Sequence, residues 1–234
     1  MPPLWDKPMF RFRDRTHAGQ LLAQRLQHHA GRADAIVLAL PRGGVVVGYE
    51  VARALRLPLD VFIVRKLGVP GREELAMGAL ALGGVRVLFP DLISELGLSD
   101  EDVARVIAQE QAELSRRERI FRADRPFPAL TGRTAILVDD GIATGATMQA
   151  AARAVRACRP AHLCVAVPVA APQALPDLWA VADEVVAVLK PMALMGIGAW
   201  YEDFSQLTDA EVLAYLQRAH EAPPSDAQRD SSIS

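Results

Sequence analysis

Residues 135–150 read AILVDDGIATGATMQA. The apolar run at 135–138 is too short for a helix and does not alternate with polar residues, so it predicts a strand at 134–138 covered on both faces. Two carboxylates, Asp139 and Asp140, follow at its carboxyl end without a spacer. A loop with Gly141 and Gly145 comes next, and an Ala-rich helix is predicted at 146–157. Strand, tight loop and helix in that order are half of a βαβ unit, which implies an α/β fold with a mostly parallel sheet flanked by helices.

Working outward in both directions, the same alternation recurs. A helix is predicted at 16–29, where Ala18, Leu21, Leu22 and Leu26 share one face, and a buried strand at 35–40 (AIVLAL). A helix at 45–57, a buried strand at 59–64 (LDVFIV) and a Gly- and Pro-rich mobile loop at 65–74 (RKLGVPGREE) follow. The runs 76–83 and 85–89 bracket Gly83 and Gly84 and read as a hairpin. Ser99 with Asp102 resembles a capping box, opening a helix to about residue 121 with Val103, Ile107, Leu114 and Phe121 on its apolar stripe. Beyond the central stretch come strands at 162–169 and 184–189 around a helix at 172–181. Thr208 with Glu211 then opens a last helix to about residue 220. The expected organisation is one domain over 1–220, with an insertion at about 76–125, a hood at about 190–206 and a polar, disordered tail at 221–234.

At 234 residues, 51% hydrophobic and 23% charged, the chain has material for one sizeable core. A net charge of −2 supplies no global attraction to nucleic acid or to an anionic membrane, so an anion site must be local. Lysine occurs only at 7, 66 and 190, with arginine making up the rest of the 26 basic residues, so each lysine is worth placing. No run is long and apolar enough for a bilayer, and the start lacks the layout of a secretory signal, so the expected location is the cytoplasm. Cys158 and Cys164 lack metal-site or disulfide spacing and read as small core residues.

Amides of a tight loop at a helix N-terminus cradle a phosphate, and the hydroxyls of Thr144 and Thr147 add donors. A phosphate alone would be repelled by Asp139 and Asp140. Adjacent carboxylates beside a phosphate cradle make sense when the ligand also presents hydroxyl donors, as a ribose 5-phosphate does. The Walker A spacing and the dinucleotide fingerprint are both absent from this loop.

Residues 138–147 (VDDGIATGAT) resemble the phosphoribosyl-diphosphate (PRPP) signature of type I phosphoribosyltransferases. Two further segments match that family in order, so the resemblance spans about residues 35–204. Pro41, Arg42, Gly43 and Gly44 look like its pyrophosphate loop, often containing a cis non-proline peptide, which here would be Pro41–Arg42. Arg65 and Lys66 look like its basic pair before a catalytic loop, with Arg72, Glu73 and Glu74 as polar residues of that loop. The resemblance implies PRPP binding by Arg42, Gly43, Gly44, Arg65, Lys66, Asp139, Asp140, Gly141, Ala143, Thr144, Gly145, Ala146 and Thr147. It implies catalytic roles for Arg42, Lys66, Asp139 and Asp140. Mg²⁺ is the implied cofactor, held by PRPP oxygens and water with no dedicated protein cage, and with Asp139 and Asp140 as the carboxylates at hand. The aromatic segment 200–204 (WYEDF) makes Trp200 and Tyr201 the candidate contacts to a nucleobase by stacking. Ala143 stands where oxopurine salvage members often carry an Asp, which leaves the base open.

The implied reaction transfers ribose 5-phosphate from PRPP to a nitrogenous base with release of pyrophosphate, as in nucleotide salvage. The alternative is a non-catalytic regulator that senses PRPP or nucleotides, because fold and ligand do not guarantee turnover. A non-base acceptor is a third reading. A DNA-binding role would have only Arg116, Arg117, Arg119, Arg122 and Arg125 to draw on, a cluster that a solvated helix end explains as well. The expected partners are therefore PRPP and a base-like acceptor, with no nucleic acid and no membrane, in a homodimer by family habit.

Overall fold

The computed structural model describes residues 10–122 and 125–221. The expected polar tail lies, from residue 222 onward, outside the described residues. In chain order the elements are α1 (Arg15–Arg25), β1 (Ala35–Ala39), α2 (Gly43–Leu55), β2 (Leu59–Val61), β3 (Val64–Val69), β4 (Arg72–Ala81) and β5 (Val85–Leu88). They continue with α3 (Pro90–Glu95), α4 (Asp100–Arg122), β6 (Thr134–Val138), α5 (Ala146–Ala157), β7 (His162–Val169), α6 (Leu175–Trp179), β8 (Glu184–Leu189) and α7 (Asp209–Glu221).

Five of the strands form one parallel sheet in the order β2-β1-β6-β7-β8. Its apolar strands are buried on both faces, as the unbroken runs predict. Val37 and Ala39 of β1, Ile136 and Val138 of β6, and Cys164 and Ala166 of β7 face one core with residues of α1, α2 and α7. Ile36, Leu38, Ala135, Leu137, Val165 and Val167 face a second core with α5 and α6. The strand order reverses between β1 and β6: the chain leaves β1 toward β2 on one side and leaves β6 toward β7 on the other. The loops after β1 and β6 therefore diverge and open a crevice at the carboxyl edge, the switch point at which open α/β sheets bind ligands.

Local signals account for the helix starts. Asp14 accepts the His17 amide at 2.7 Å and caps α1. Ser99 Oγ accepts the Asp102 amide at 3.1 Å before α4. Thr208 and Glu211 form the full reciprocal box before α7, with the Thr208 amide donating to Glu211 at 2.7 Å and the Glu211 amide to Thr208 Oγ1 at 3.2 Å. Among the described residues no helix is long and apolar enough to cross a membrane.

Two expectations are corrected. The segment 65–74, read as a mobile loop, is the heart of a hairpin: β3, β4 and β5 form an antiparallel three-stranded sheet. Its glycines and proline mark a tight turn and a bulge. Pro70 precedes Gly71, whose φ of +75° suits the third residue of a type II turn. At Gly68 the register shifts, and a Cβ there would lie 2.8 Å from the Glu73 carbonyl oxygen. Arg122, read as part of a solvated cluster, is 1% exposed. Its guanidinium pairs with Asp60 in β2 and donates to the Pro126 carbonyl at 2.7 Å, which pins the end of α4 to the edge of the parallel sheet.

Removing one member of such a buried pair leaves the other charge uncompensated, a loss of about 3–5 kcal/mol. Asp60→Ala should lower the stability read from urea unfolding by that amount. Asp60→Leu combined with Arg122→Met should cost less than Asp60→Ala alone; an equal or larger loss would show that the uncompensated charge is not what the single substitution costs.

Candidate active site at the crevice between β1 and β6

β6 ends at Val138 and delivers Asp139 and Asp140 into the crevice. Asp139 Oδ1 accepts the Asp140 amide at 2.8 Å, and the Gly44 amide also donates to this carboxylate. Asp140 Oδ2 accepts from Arg15 Nε at 2.8 Å, an ion pair with both side chains nearly buried. Arg15 is itself fixed: Nη1 donates to the Ser205 carbonyl at 2.8 Å, and the guanidinium lies 3.9 Å over the Phe204 ring.

Gly43 and Gly44 open α2 directly against this pair. A Cβ at Gly43 would fall 1.8 Å from Asp140 Oδ2, and one at Gly44 would fall 2.8 Å from both Asp139 Cα and the Val138 oxygen. Only glycine lets the helix start this close, and the positive end of the helix then faces the two carboxylates. The Pro41–Arg42 peptide just before is cis. Burial pushes the Asp139 carboxyl well above the usual carboxylate range, and the neighbouring Asp140 charge pushes it further. Burial also raises Asp140, against the opposing pull of Arg15. Two half-buried carboxylates with raised proton affinity favour any partner that brings hydroxyl donors or a hard cation. The donor set fits Mg²⁺ shared with substrate oxygens.

The loop after Asp140 hangs on β7: the Ile142 amide donates to the Val169 carbonyl at 2.8 Å and the Ala171 amide to the Ile142 carbonyl at 2.9 Å. Gly141 lies under Ile197, where a Cβ would fall 2.5 Å from a side-chain carbon. Gly145, at φ +82°, turns the chain into α5. Ala143 and Ala146 are half-buried, while Thr144 and Thr147 are exposed and present their hydroxyls at that helix start.

Across the crevice a cavity of about 630 Å³ is lined by Pro41, Arg65, Lys66, Asp139 and Thr147, together with Arg105, Gln109, Glu110 and Arg117 of α4. Residues from all three sequence segments thus meet in one space. Arg65 Nε is 2.6 Å from Glu110. Arg42 points elsewhere: its half-exposed guanidinium pairs with Asp209 at 2.9 Å and donates to the Leu207 carbonyl at 3.1 Å, at the start of α7.

Tyr201 is not placed as a stacking platform. It is 3% exposed, with its ring against Phe12 and Phe204 at centroid distances of 5.2 and 4.9 Å. Its hydroxyl donates to the Asp140 carbonyl at 2.6 Å. Burial, then the charge of Asp140, raises the phenol pKa, so the group stays a donor. Tyr201 supports the acid pair from behind; Trp200 is half-buried, and neither lines the cavity.

The sequence reading missed Arg15 and the α4 wall. Arg15 sits beside the FRFR pattern at 10–13, whose Phe12 bridges to Tyr201, a weak strand-edge signal. Arg105, Gln109 and Arg117 recur at helical spacing on the polar side of α4, a pattern that a solvated face shares.

Residues 15–188 match the family model described as the phosphoribosyl transferase domain. The chain belongs to that family. It is 45% identical over 226 residues to two Mycobacterium tuberculosis proteins, of strains CDC 1551 / Oshkosh and H37Rv, each named "Putative phosphoribosyl transferase". Those matches cover 95% of this chain, which spans about half (51%) of the length of these curated relatives. The crystal structure of TT1426 from Thermus thermophilus is similar at TM-score 0.82 and 46% identity, covering 89% of this chain and 99% of that one. The family match begins at Arg15 and takes in the acid pair, its glycine-rich neighbour and the Thr loop.

The raised Asp139 pKa carries a sign. A carboxyl whose pKa is higher folded than unfolded destabilises the fold as pH climbs above the unfolded value, near 4, and through the folded one. Asp139→Asn keeps an oxygen for the Asp140 and Gly44 amides and removes that penalty. The ligand-free variant should be more stable than wild type at pH 8, with the difference shrinking toward pH 4. Urea midpoints differing equally at both pH values would refute the assignment.

Proposed function

We propose that this chain is a PRPP-dependent phosphoribosyltransferase that moves ribose 5-phosphate to a ring nitrogen of a base-like acceptor and releases pyrophosphate. The observation that carries the reading is the meeting of the Asp139 and Asp140 pair, the glycine start of α2, the Thr loop and the Arg65 and Lys66 pair around one crevice. In this reading the 5-phosphate sits on amides of Gly141, Ala143, Thr144, Gly145, Ala146 and Thr147, and the threonine hydroxyls add donors. Asp139 and Asp140 accept hydrogen bonds from the ribose hydroxyls, which offsets the cost of keeping two carboxylates half-buried.

The bond from C1 to the diphosphate oxygen breaks, its electron pair leaves with the diphosphate, the acceptor nitrogen bonds to C1 through its lone pair, and the ring N–H proton passes to the released pyrophosphate or to water. Positioning and charge neutralisation carry such a loose displacement. Arg65 and Lys66 face the leaving group from the cavity wall, and the amides of Gly43 and Gly44 approach it from α2. Arg42 joins them by exchanging Asp209 for the diphosphate; a half-exposed ion pair costs at most about 1 kcal/mol to give up. Mg²⁺ bound with PRPP would be held by substrate oxygens with Asp139 and Asp140 as the carboxylates at hand, and would supply positive charge that neutralises the leaving group. The turn at Pro70 and Gly71 rims the cavity and limits water at the reactive sugar.

The hood at 190–206 rests on the acid loop through Ile197 and Gly141, and Met192 and Met195 stand almost fully exposed on it. With Tyr201 committed to Asp140, acceptor recognition falls to Trp200 and these adaptable side chains. The sensing alternative draws on one observation, the engagement of Arg42 by Asp209, which holds one basic group out of the crevice.

Titration calorimetry with Mg²⁺ and PRPP, then pyrophosphate release across a panel of bases, tests the proposal. Wild type should bind PRPP and release pyrophosphate with at least one base, and Asp139→Asn with Asp140→Asn should abolish binding. Hypoxanthine and guanine should be poor acceptors because Ala143 offers no carboxylate to the purine imidazole edge. PRPP binding without release in any pairing would favour the sensor, and unaltered PRPP affinity in the double variant would overturn both readings.

Trp200→Ala should weaken nucleotide binding by roughly 5- to 150-fold, the equivalent of 1–3 kcal/mol of stacking, while PRPP affinity stays near wild type. Equal losses for both ligands would remove Trp200 from acceptor recognition.

A further inference from the structure

Three of the chain's five histidines gather at the other end of the parallel sheet. His162 is the first residue of β7 and Glu184 the first of β8, so both stand at the amino edge, opposite the crevice. His28 and His29 arrive there from the single 3-10 turn that follows α1. His28 Nε2 lies 3.0 Å from Glu184 Oε1, and His29 Nε2 lies 3.0 Å from Glu184 Oε2. His162 Nε2 approaches the same Oε2 at 3.4 Å.

We propose that His28, His29 and Glu184 form a binding site for a divalent transition ion of the zinc class. The inference is independent of the reaction proposed above. One donor atom from each of the three residues lies within 4.8 Å of the others. Bonds of about 2.0–2.1 Å in a tetrahedron place donors roughly 3.3 Å apart; the two histidines reach different oxygens of Glu184, each at 3.0 Å, so a rotation of the carboxylate and a closing-in of donors already within 4.8 Å would complete the site. Two imidazoles and one carboxylate, with the fourth position left to water, are a zinc-type donor set. Mg²⁺ and Ca²⁺ prefer all-oxygen shells and do not suit it.

His29 Nδ1 is buried without a hydrogen-bond partner, so the ring has its Nε2 contact with Glu184 as its tie to the cluster. His162 flanks the carboxylate and, with Nδ1 3.9 Å from Asp183, steadies it from the second layer. Cys164, the cross-strand neighbour of Glu184, is buried and lies outside the donor group. A bound ion would clip the turn after α1 to the first residue of β8, across 155 residues of sequence. It would stabilise the fold by mass action.

The test uses the full chain, free of any affinity tag and stripped by a chelator, titrated with ZnCl2 and separately with CoCl2 in excess MgCl2. One Zn²⁺ per chain should bind with a Kd on the order of 1 µM or tighter, raise Tm, and be mirrored by the visible band of tetrahedral Co²⁺. His28→Ala alters a side chain that is 54% exposed, so the fold should survive. That variant and Glu184→Gln should each weaken Zn²⁺ at least about 100-fold and lose the Tm rise, while Asp139→Asn should leave both intact. No saturable binding below about 100 µM, wild-type affinity in His28→Ala, or loss of binding in Asp139→Asn would overturn the site; the cluster would then be a purely hydrogen-bonded clip, or the ion would belong to the crevice.

Discussion

The approach of the α2 start to Asp139 and Asp140 is the contact on which the rest of the site depends. Two carboxylates side by side at a strand end repel one another, and half-burial makes the repulsion worse. They are tolerated because Gly44 donates an amide to one, Arg15 binds the other, and the positive end of α2 faces both. None of this is possible with a side chain at residue 43 or 44, whose Cβ would collide with the acids themselves. The glycines of the loop after β1 therefore have a structural role toward β6 in addition to any role toward a ligand.

Compensation is incomplete, and that has functional content. The Asp139 and Asp140 carboxyls stay raised in pKa, so ligand-free protein holds a site that a hydroxyl-rich, cation-bearing ligand would relieve. Four basic residues line the same cavity as Asp139, with Arg65 and Lys66 near the start of β3 and Arg105 and Arg117 on α4.

Remote segments hold this polarity in place. Phe12 pairs with Tyr201, Tyr201 reaches the Asp140 carbonyl, and Arg15 links Asp140 to Ser205 and Phe204. The residues just before α1 and those at 200–205 thus form one brace behind the acid pair. Tyr201 and Phe204 serve as scaffold there, with Tyr201 spending its polar tip on a backbone oxygen.

Much of the fold was legible in the chain. Buried parallel strands are unbroken apolar runs, and so 134–138, 162–169 and 184–189 could be read residue for residue, as could the boxes at Ser99 and Thr208, because caps are local chemistry. The loop VDDGIATGAT marked a candidate site for the same reason: adjacent acids, glycines and threonines in a tight loop have few other uses. Tertiary structure decided what depends on partners distant in sequence. Gly68, Pro70 and Gly71 are compatible with a mobile loop or a hairpin, and only pairing of β3 with β4 selects the hairpin. Arg122 looks like any helix-end arginine until Asp60, 62 residues away, meets it in the interior. Arg15 is one arginine among many until folding brings Asp140 within 2.8 Å, and Arg42 turns to Asp209 because α7 happens to start there. The sequence by itself determined the strands and helices of the parallel sheet and the acids at the end of β6, since these follow from local patterns and period. Which charge meets which was left to the tertiary structure, because a Coulombic partner is chosen by distance in space and not by distance along the chain.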